Sequence, residues 1–307
     1  MPQEDMQLFD RALLRARQAR AAPGLREHGF LHARAAEDIR LRLDAVMRDF
    51  PMALEFSTFP DRLPPALLDH PRVGELVVAS PDIGGLRAIA GLRVACDEEQ
   101  LPFAPQAFPL AVSILALHAV NDLPGTLVQL RRALKPDGLL LAAAFGGGTL
   151  HELREVLTAA EIEVTGGAAP RVAPFADVRD YGALLQRAGF ALPVADADSV
   201  TVTYRDIVAL MHDLRGMGAT NVLHERSRRP LSRRMLLRAG EIYAERFPAG
   251  DGRIAATFEI IHLSGWAPHE SQQQPLRPGT ARMRLADALD TAERSAGVKA
   301  DPKGTRN

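Results

Sequence analysis

Apolar residues over the first fifty positions recur at helical spacing. Leu8, Phe9, Ala12, Leu13 and Ala16 fall among arginines over 5–21, and Ile39, Leu43, Val46 and Met47 repeat the pattern over 33–49, so two helices are expected. The pattern then changes to short, continuously apolar runs at 52–56, 75–79, 92–96, 110–116 and 139–145. Such runs, separated by helix-length or turn-rich segments, predict a largely parallel α/β sheet. Strands covered on both faces are apolar throughout, and parallel crossovers need about a dozen residues.

A helix is expected over 124–134, stopped by the turn Lys135-Pro136-Asp137-Gly138, where Pro fixes φ and Gly accepts positive φ. Phe145-Gly146-Gly147-Gly148-Thr149 reads as a strand-to-helix loop on the rim of a ligand crevice, with Thr149 and Glu152 spaced as a capping box. Helices are expected over 149–161 and 177–188, with a Gly- and Pro-rich loop between them, and over 205–216 and 231–246. Alternation at 199–204 and the apolar run at 257–263 read as two further strands. A cover insertion is expected at roughly 196–250 of one domain spanning 1–271, and a mobile tail at 272–307 with a short helix over 283–296.

Composition narrows the function classes. With 307 residues, 47% of them hydrophobic, the chain can bury a substantial core. A net charge of -1 offers no global attraction to nucleic acid or anionic membrane. Lysine occurs only at 135, 299 and 303, the remaining basic residues being arginine, which together with many alanines fits a GC-rich, bacterial genome. The single cysteine, Cys96, excludes an intramolecular disulfide and a cysteine-based zinc cluster, and suits a reducing compartment. Without a basic-apolar leader or a membrane-length apolar run, a cytoplasmic location is expected.

Several segments point further: Phe9-Asp10-Arg11-Ala12-Leu13, Cys96-Asp97-Glu98-Glu99, Leu117-His118-Ala119-Val120-Asn121-Asp122-Leu123-Pro124 and Phe145-Gly146-Gly147-Gly148-Thr149-Leu150. Two more are Asp213-Leu214-Arg215-Gly216-Met217-Gly218-Ala219-Thr220-Asn221 and Gly265-Trp266-Ala267-Pro268-His269-Glu270. In these the chain resembles the class I S-adenosylmethionine (SAM) methyltransferase-like assembly factors of respiratory complex I, and its earlier motifs are shared with the carboxyl methyltransferase of biotin synthesis. The resemblance implies a Rossmann-like seven-stranded SAM-methyltransferase fold with N-terminal helices and a C-terminal cover insertion. For the mitochondrial members it also implies hydroxylation of an arginine on a peripheral-arm subunit.

On that resemblance the cofactor-binding positions are Glu55, Ser57, Phe59, Ser80, Asp97, Leu117 and His118. Three of them depart from the family pattern. Ser57 and Phe59 stand where glycines let the backbone approach the ligand, and Ser80 stands where a carboxylate meets the ribose. Phe59 is expected to part-fill the cleft, and Asp61 to bring negative charge near the methionine carboxylate. Asp97 matches the position that meets the adenine amino group.

The other candidates each have more than one reading. His118 suits a general base, a ligand or a structural imidazole. Asn121 and Asp122 suit substrate contact, and Asp122 equally suits a helix cap. Trp266 with His269 and Glu270 could wall a peptide site or pack against cover helices. The arginines of 224–234 could meet an acidic partner or simply be solvated. Cys96 reads more as a small core residue than as a reactive thiol. His151, Glu152, His262, His269 and Glu270 are possible metal donors, yet no iron-binding spacing links them, so no metal is expected. Three functions stay open: an assembly factor that binds, and hydroxylates, a complex I subunit; a SAM-dependent methyltransferase of a small acid or carrier-bound acyl group; or a non-catalytic binding module.

Overall fold

The computed structural model of the protein describes residues 7–63 and 65–273. The expected tail, from residue 274 on and including its helix over 283–296, lies outside the described residues. In chain order, α1 (Arg11–Ala21), the short α2 (Leu25–His28) and α3 (Phe30–Asp44) precede β1 (Phe50–Phe56), β2 (Val73–Ser80), α4 (Ile83–Ala88), β3 (Leu92–Ala95) and β4 (Phe108–Ile114). Next come α5 (Leu123–Ala133), β5 (Leu134–Phe145), α6 (His151–Thr165), α7 (Val178–Arg187), β6 (Ala191–Tyr204), α8 (Ile207–Gly216), α9 (Arg233–Arg246) and β7 (Ile254–Trp266).

The strands form one seven-stranded sheet in the order β3-β2-β1-β4-β5-β7-β6. β1 to β5 pair in parallel, and β7 runs antiparallel to both β5 and β6. Successive side chains of a strand point to opposite faces, and β5 shows the consequence. Leu139, Leu141, Ala143 and Phe145 pack with α3, α6, α8 and α9, whereas Leu140, Ala142 and Ala144 pack with α5 and α7. This two-sided burial explains why the runs read as continuously apolar.

The topology also fixes where a ligand can go. The order reverses between β1 and β4, leaving a crevice at their C-terminal ends. Because β7 opposes both neighbours, Tyr204 at the end of β6 pairs with Ile254 at the start of β7, and Ile260 pairs with Phe145. The segment 205–253 between them therefore leaves and rejoins the sheet on the crevice side.

Three local expectations are corrected. The turn at Lys135–Gly138 does not precede β5 but lies within it, beside a register shift opposite Phe108/Leu110. Asp137, not Gly138, takes the positive φ of 60° there. Gly138 is required by close approach, since a Cβ would come within 2.8 Å of the Lys135 carbonyl oxygen. Thr149 and Glu152 do not form a capping box, because Leu150, with φ 54°, precedes α6 and no side chain caps it. Thr149 Oγ1 instead accepts from Glu259 N and donates to Glu259 O, both at 3.1 Å. The buried Glu152 accepts from Thr257 N at 3.1 Å and from Thr257 Oγ1 at 2.5 Å. The expected strand at 199–204 extends back to Ala191, because β7 offers a partner along that whole length.

Removing the Glu152 carboxylate leaves two part-buried donors of Thr257, on β7, without it. Glu152→Ala should lower unfolding stability by about 1–3 kcal/mol in urea titrations; an unchanged midpoint would show that these bonds do not hold α6 to the sheet.

Candidate functional site

At the end of β1, Glu55 points into the protein. Its two oxygens accept from Ala66 N at 2.7 Å and Leu67 N at 2.9 Å, so the carboxylate caps the turn after the loop. Burial pushes its carboxyl up to about 7, against the pull of those two donors and of Arg40. Ser57 N donates to Ala79 O at 2.9 Å, keeping the loop paired with β2. Phe59 is buried with Ala22, Leu25 and Leu63, and meets the His32 ring edge-on at 5.6 Å. It lines two cavities, one of about 530 Å³ and one of about 90 Å³ bordered by Glu55, Ser57 and Ile114. Asp61 forms an ion pair with Arg62 at 3.0 Å.

Ser80, fully buried at the end of β2, accepts from Asp82 N at 3.1 Å, and Asp82 caps α4 through Gly85 N. Beyond β3, Asp97 is held by Arg11 at 2.9 Å and also by Arg15. Arg11 pairs with Glu98 as well and donates to Ala119 O at 2.9 Å. One guanidinium from α1 therefore ties the loop after β3 to the loop after β4. Glu99 adds to this link by accepting from Asn121 N and, at 3.3 Å, from Asp122 N.

Asn121 holds the N-terminal segment in the manner of a strand partner, accepting from Phe9 N at 2.8 Å and donating to Phe9 O at 3.1 Å. Asp122 caps α5 through Gly125 N at 2.8 Å. Leu117 is buried under α5, and His118 turns into the larger cavity. There its ring meets Phe145 at 4.7 Å and Phe175 at 5.4 Å, and its Nδ1 is enclosed with no hydrogen-bond partner among the described residues. Burial, reinforced by His32 and Arg11, holds the His118 imidazole down at about 3, and burial alone holds His32 at about 4. Both are neutral at physiological pH. Thr58 Oγ1 is a second enclosed atom without a partner among the described residues.

The cover closes the cavity from above with Leu214, Arg215 and the 217–222 segment, while Leu153 and Leu157 of α6 form one side. Asp213 anchors the cover: Tyr204 donates to it at 2.6 Å, and His28 Nδ1 lies 2.5 Å away. His28 presses against Gly216, where a Cβ would come within 2.1 Å of the ring.

Other candidates sit elsewhere. Trp266, the last residue of β7, pairs with Leu139 of β5 and with Ala191 at the start of β6, at the end of the sheet opposite the crevice, and the exposed His269 and Glu270 follow it. His151 begins α6, and His262 lies inside β7 at 3.3 Å from Asp38. Burial, then Glu98, pushes the half-buried Cys96 thiol up to about 11, so it is protonated. Sequence reasoning did not single out Arg11, Arg15, Arg17 or His32 as site residues. Arg11 had a signal, lying inside one of the motifs that carried the resemblance, whereas His32 is one step off the Leu31, Ala35, Ile39 stripe and had none.

Fold and crevice together define a class I methyltransferase-like protein. A putative methyltransferase of Bacillus halodurans superposes with a TM-score of 0.52 at 16% identity, covering 76% of this chain and 100% of that one, which bears on the fold alone. Residues 85–142 match the family model described as "Methyltransferase domain", and this fold and domain are those of SAM-binding proteins generally. Sequence relatives are more specific. The zebrafish (Danio rerio) protein "Arginine-hydroxylase NDUFAF5, mitochondrial" is 36% identical over 92% of this chain and 90% of its own length. The chain belongs to this NDUFAF5 arginine-hydroxylase family. More distantly, "Malonyl-[acyl-carrier protein] O-methyltransferase" of Halorhodospira halophila is 37% identical over 62% of each chain.

A histidine held below its ordinary value favours the folded state only while the unfolded chain is also neutral, so the stability contributed by His32 and His118 is lost as pH falls below about 6.5. Nitrogen-15 imidazole spectra of the folded protein should show both rings neutral and unchanging between about pH 5 and 8; a midpoint near the ordinary histidine value would contradict the enclosed placement.

Proposed function

We propose that this protein is a complex I assembly factor that acts by binding a protein partner, a peripheral-arm subunit, and that its SAM loop is degenerate. The observation that carries the reading is the similarity to the arginine hydroxylases over 92% of the chain, a length that takes in the cover as well as the sheet. The exposed arginines Arg228, Arg229, Arg233 and Arg234, within the cover, suit acidic residues of such a partner.

The geometry around the crevice supports the degenerate loop. Glu55 commits both oxygens to backbone donors, Ser80 is sealed into a turn, and Asp97 answers two arginines. The void beside Glu55 and Ser57, about 90 Å³, is well under the roughly 300 Å³ at which ligand pockets begin. Together the committed polar groups and the small void support a site that does not take SAM. Arginine hydroxylation is the reaction named for the relatives. The larger cavity has no carboxylate among its described lining residues to receive a guanidinium, so binding rather than turnover is assigned to this chain. The malonyl-carrier relatives favour a second reading, methylation of a small acid or carrier-bound acyl group, which would require the cofactor to displace Arg11 and Arg15. The single Cys96 suits a reducing compartment, and we place the protein in a bacterial cytoplasm although its relatives are named mitochondrial.

Calorimetry of the purified protein with SAM should show no measurable binding, and a dissociation constant in the low micromolar range would overturn the degenerate-loop reading. Deletion of the gene should deplete assembled complex I in native gels of membranes, and the chain should co-purify with a peripheral-arm subunit. Normal complex I in the deletion strain would sink the assembly role, and mass spectrometry showing an oxygen added to a partner arginine would replace binding with catalysis.

A further inference from the structure

The cavity of about 530 Å³ combines an apolar interior with a basic mouth. Leu31, Leu115, Phe145, Leu153 and Phe258 line it, whereas no Asp or Glu does so among the described residues. Five arginines line it too: Arg17, Arg171, Arg215, Arg226 and Arg228. Arg171 is answered by Glu161 and Arg226 by Asp10, but Arg17 donates to a neutral carbonyl, that of Asn221. Arg215 and Arg228 are exposed, and neither has a carboxylate partner among the described residues. The positive charge is in excess. Burial lowers the Arg17 pKa, Arg226, Arg20 and Arg215 push it the same way, and only Asp10 opposes them.

We propose that this cavity binds a free medium-chain fatty carboxylate, its chain among the apolar walls and its carboxylate at the mouth with Arg215 and Arg228. Other ligand classes meet a specific obstacle. A guanidinium or ammonium would enter a field of its own sign. An acidic peptide segment would bring an N–H and a C=O per residue into an interior whose enclosed unpartnered polar atoms are Thr58 Oγ1 and His118 Nδ1, among the described residues. A neutral amphiphile would leave the arginines unanswered. An alkyl chain asks nothing of the walls but contact, and its carboxylate accepts the charge-assisted bonds that arginine forks supply. The volume lies within the roughly 300–1,000 Å³ range of small-molecule pockets. This assignment shares Arg228 with the partner-binding surface but does not rest on that role, and its test uses neither SAM nor a partner.

Calorimetry on the intact protein with octanoate, decanoate, decanol and decyltrimethylammonium tests it directly. Decanoate is expected to bind about tenfold more tightly than decanol and more tightly still than the cation, with affinity rising about fourfold per added methylene from octanoate. The surface double variant Arg215→Ala/Arg228→Ala should lose about tenfold for decanoate and nothing for decanol. Equal binding of decanoate and decyltrimethylammonium would overturn the proposal. So would a double variant, folded by circular dichroism, that keeps full affinity for decanoate. Tighter binding of decanoyl-phosphopantetheine than of decanoate would overturn the free acid as the ligand.

Discussion

Because β7 runs against β5, the 205–253 segment has to emerge over the crevice at the C-terminal ends of β1, β4 and β5. The large cavity follows from that reversal. Had β7 run parallel to β5, its start would lie at the opposite sheet edge and the segment would have to cross the whole sheet to reach it. Thr149 and Glu152 hold α6 to β7, and Asp213 fastens α8 to Tyr204 and His28, so the walls of the cavity are tied to the same strand pair.

A second constraint acts at the other side of the crevice. Arg11 spans Asp97, Glu98 and the Ala119 carbonyl, and Asn121 pairs with the backbone of Phe9. The N-terminal segment is thereby built into the loops after β3 and β4, the region where a nucleotide-type cofactor would lie in this fold. Asp97, which read as a ligand contact, and Glu98 beside it serve as anchors for α1. The same chain thus keeps the methyltransferase scaffold while using its crevice-side polar groups internally, and its larger apolar cavity lies under the cover.

How far the sequence could be read differs by element. The parallel strands were legible as short apolar runs, since β1, β4 and β5 are buried on both faces, and all five lie within a few residues of the predicted runs. Asp122 as a cap was legible as one of two readings, because capping depends only on residues three apart. The Thr149–Glu152 spacing misled for the same local reason: their partners, Glu259 and Thr257, lie about a hundred residues away, and no local pattern records them. The turn at 135–138 was placed correctly in sequence but not in structure, since pairing of the flanking Leu134 and Leu139 with β4 draws it into a strand.

The sequence by itself determined the alternation of strands and helices, the family resemblance and the presence of serine and phenylalanine at positions 57 and 59, all of which depend on residue type and short spacing. Only the tertiary structure decided what those residues do. The fates of Asp97, Glu55, His118 and Trp266 depend on which distant groups reach them: a guanidinium from α1, two backbone amides of the 66–67 turn, the rings of Phe145 and Phe175, and a pairing at the end of the sheet away from the crevice. Charge compensation and enclosure are properties of three-dimensional neighbourhoods, so a carboxylate that reads as a cofactor contact along the chain becomes a clamp once the arginine that neutralises it is in place.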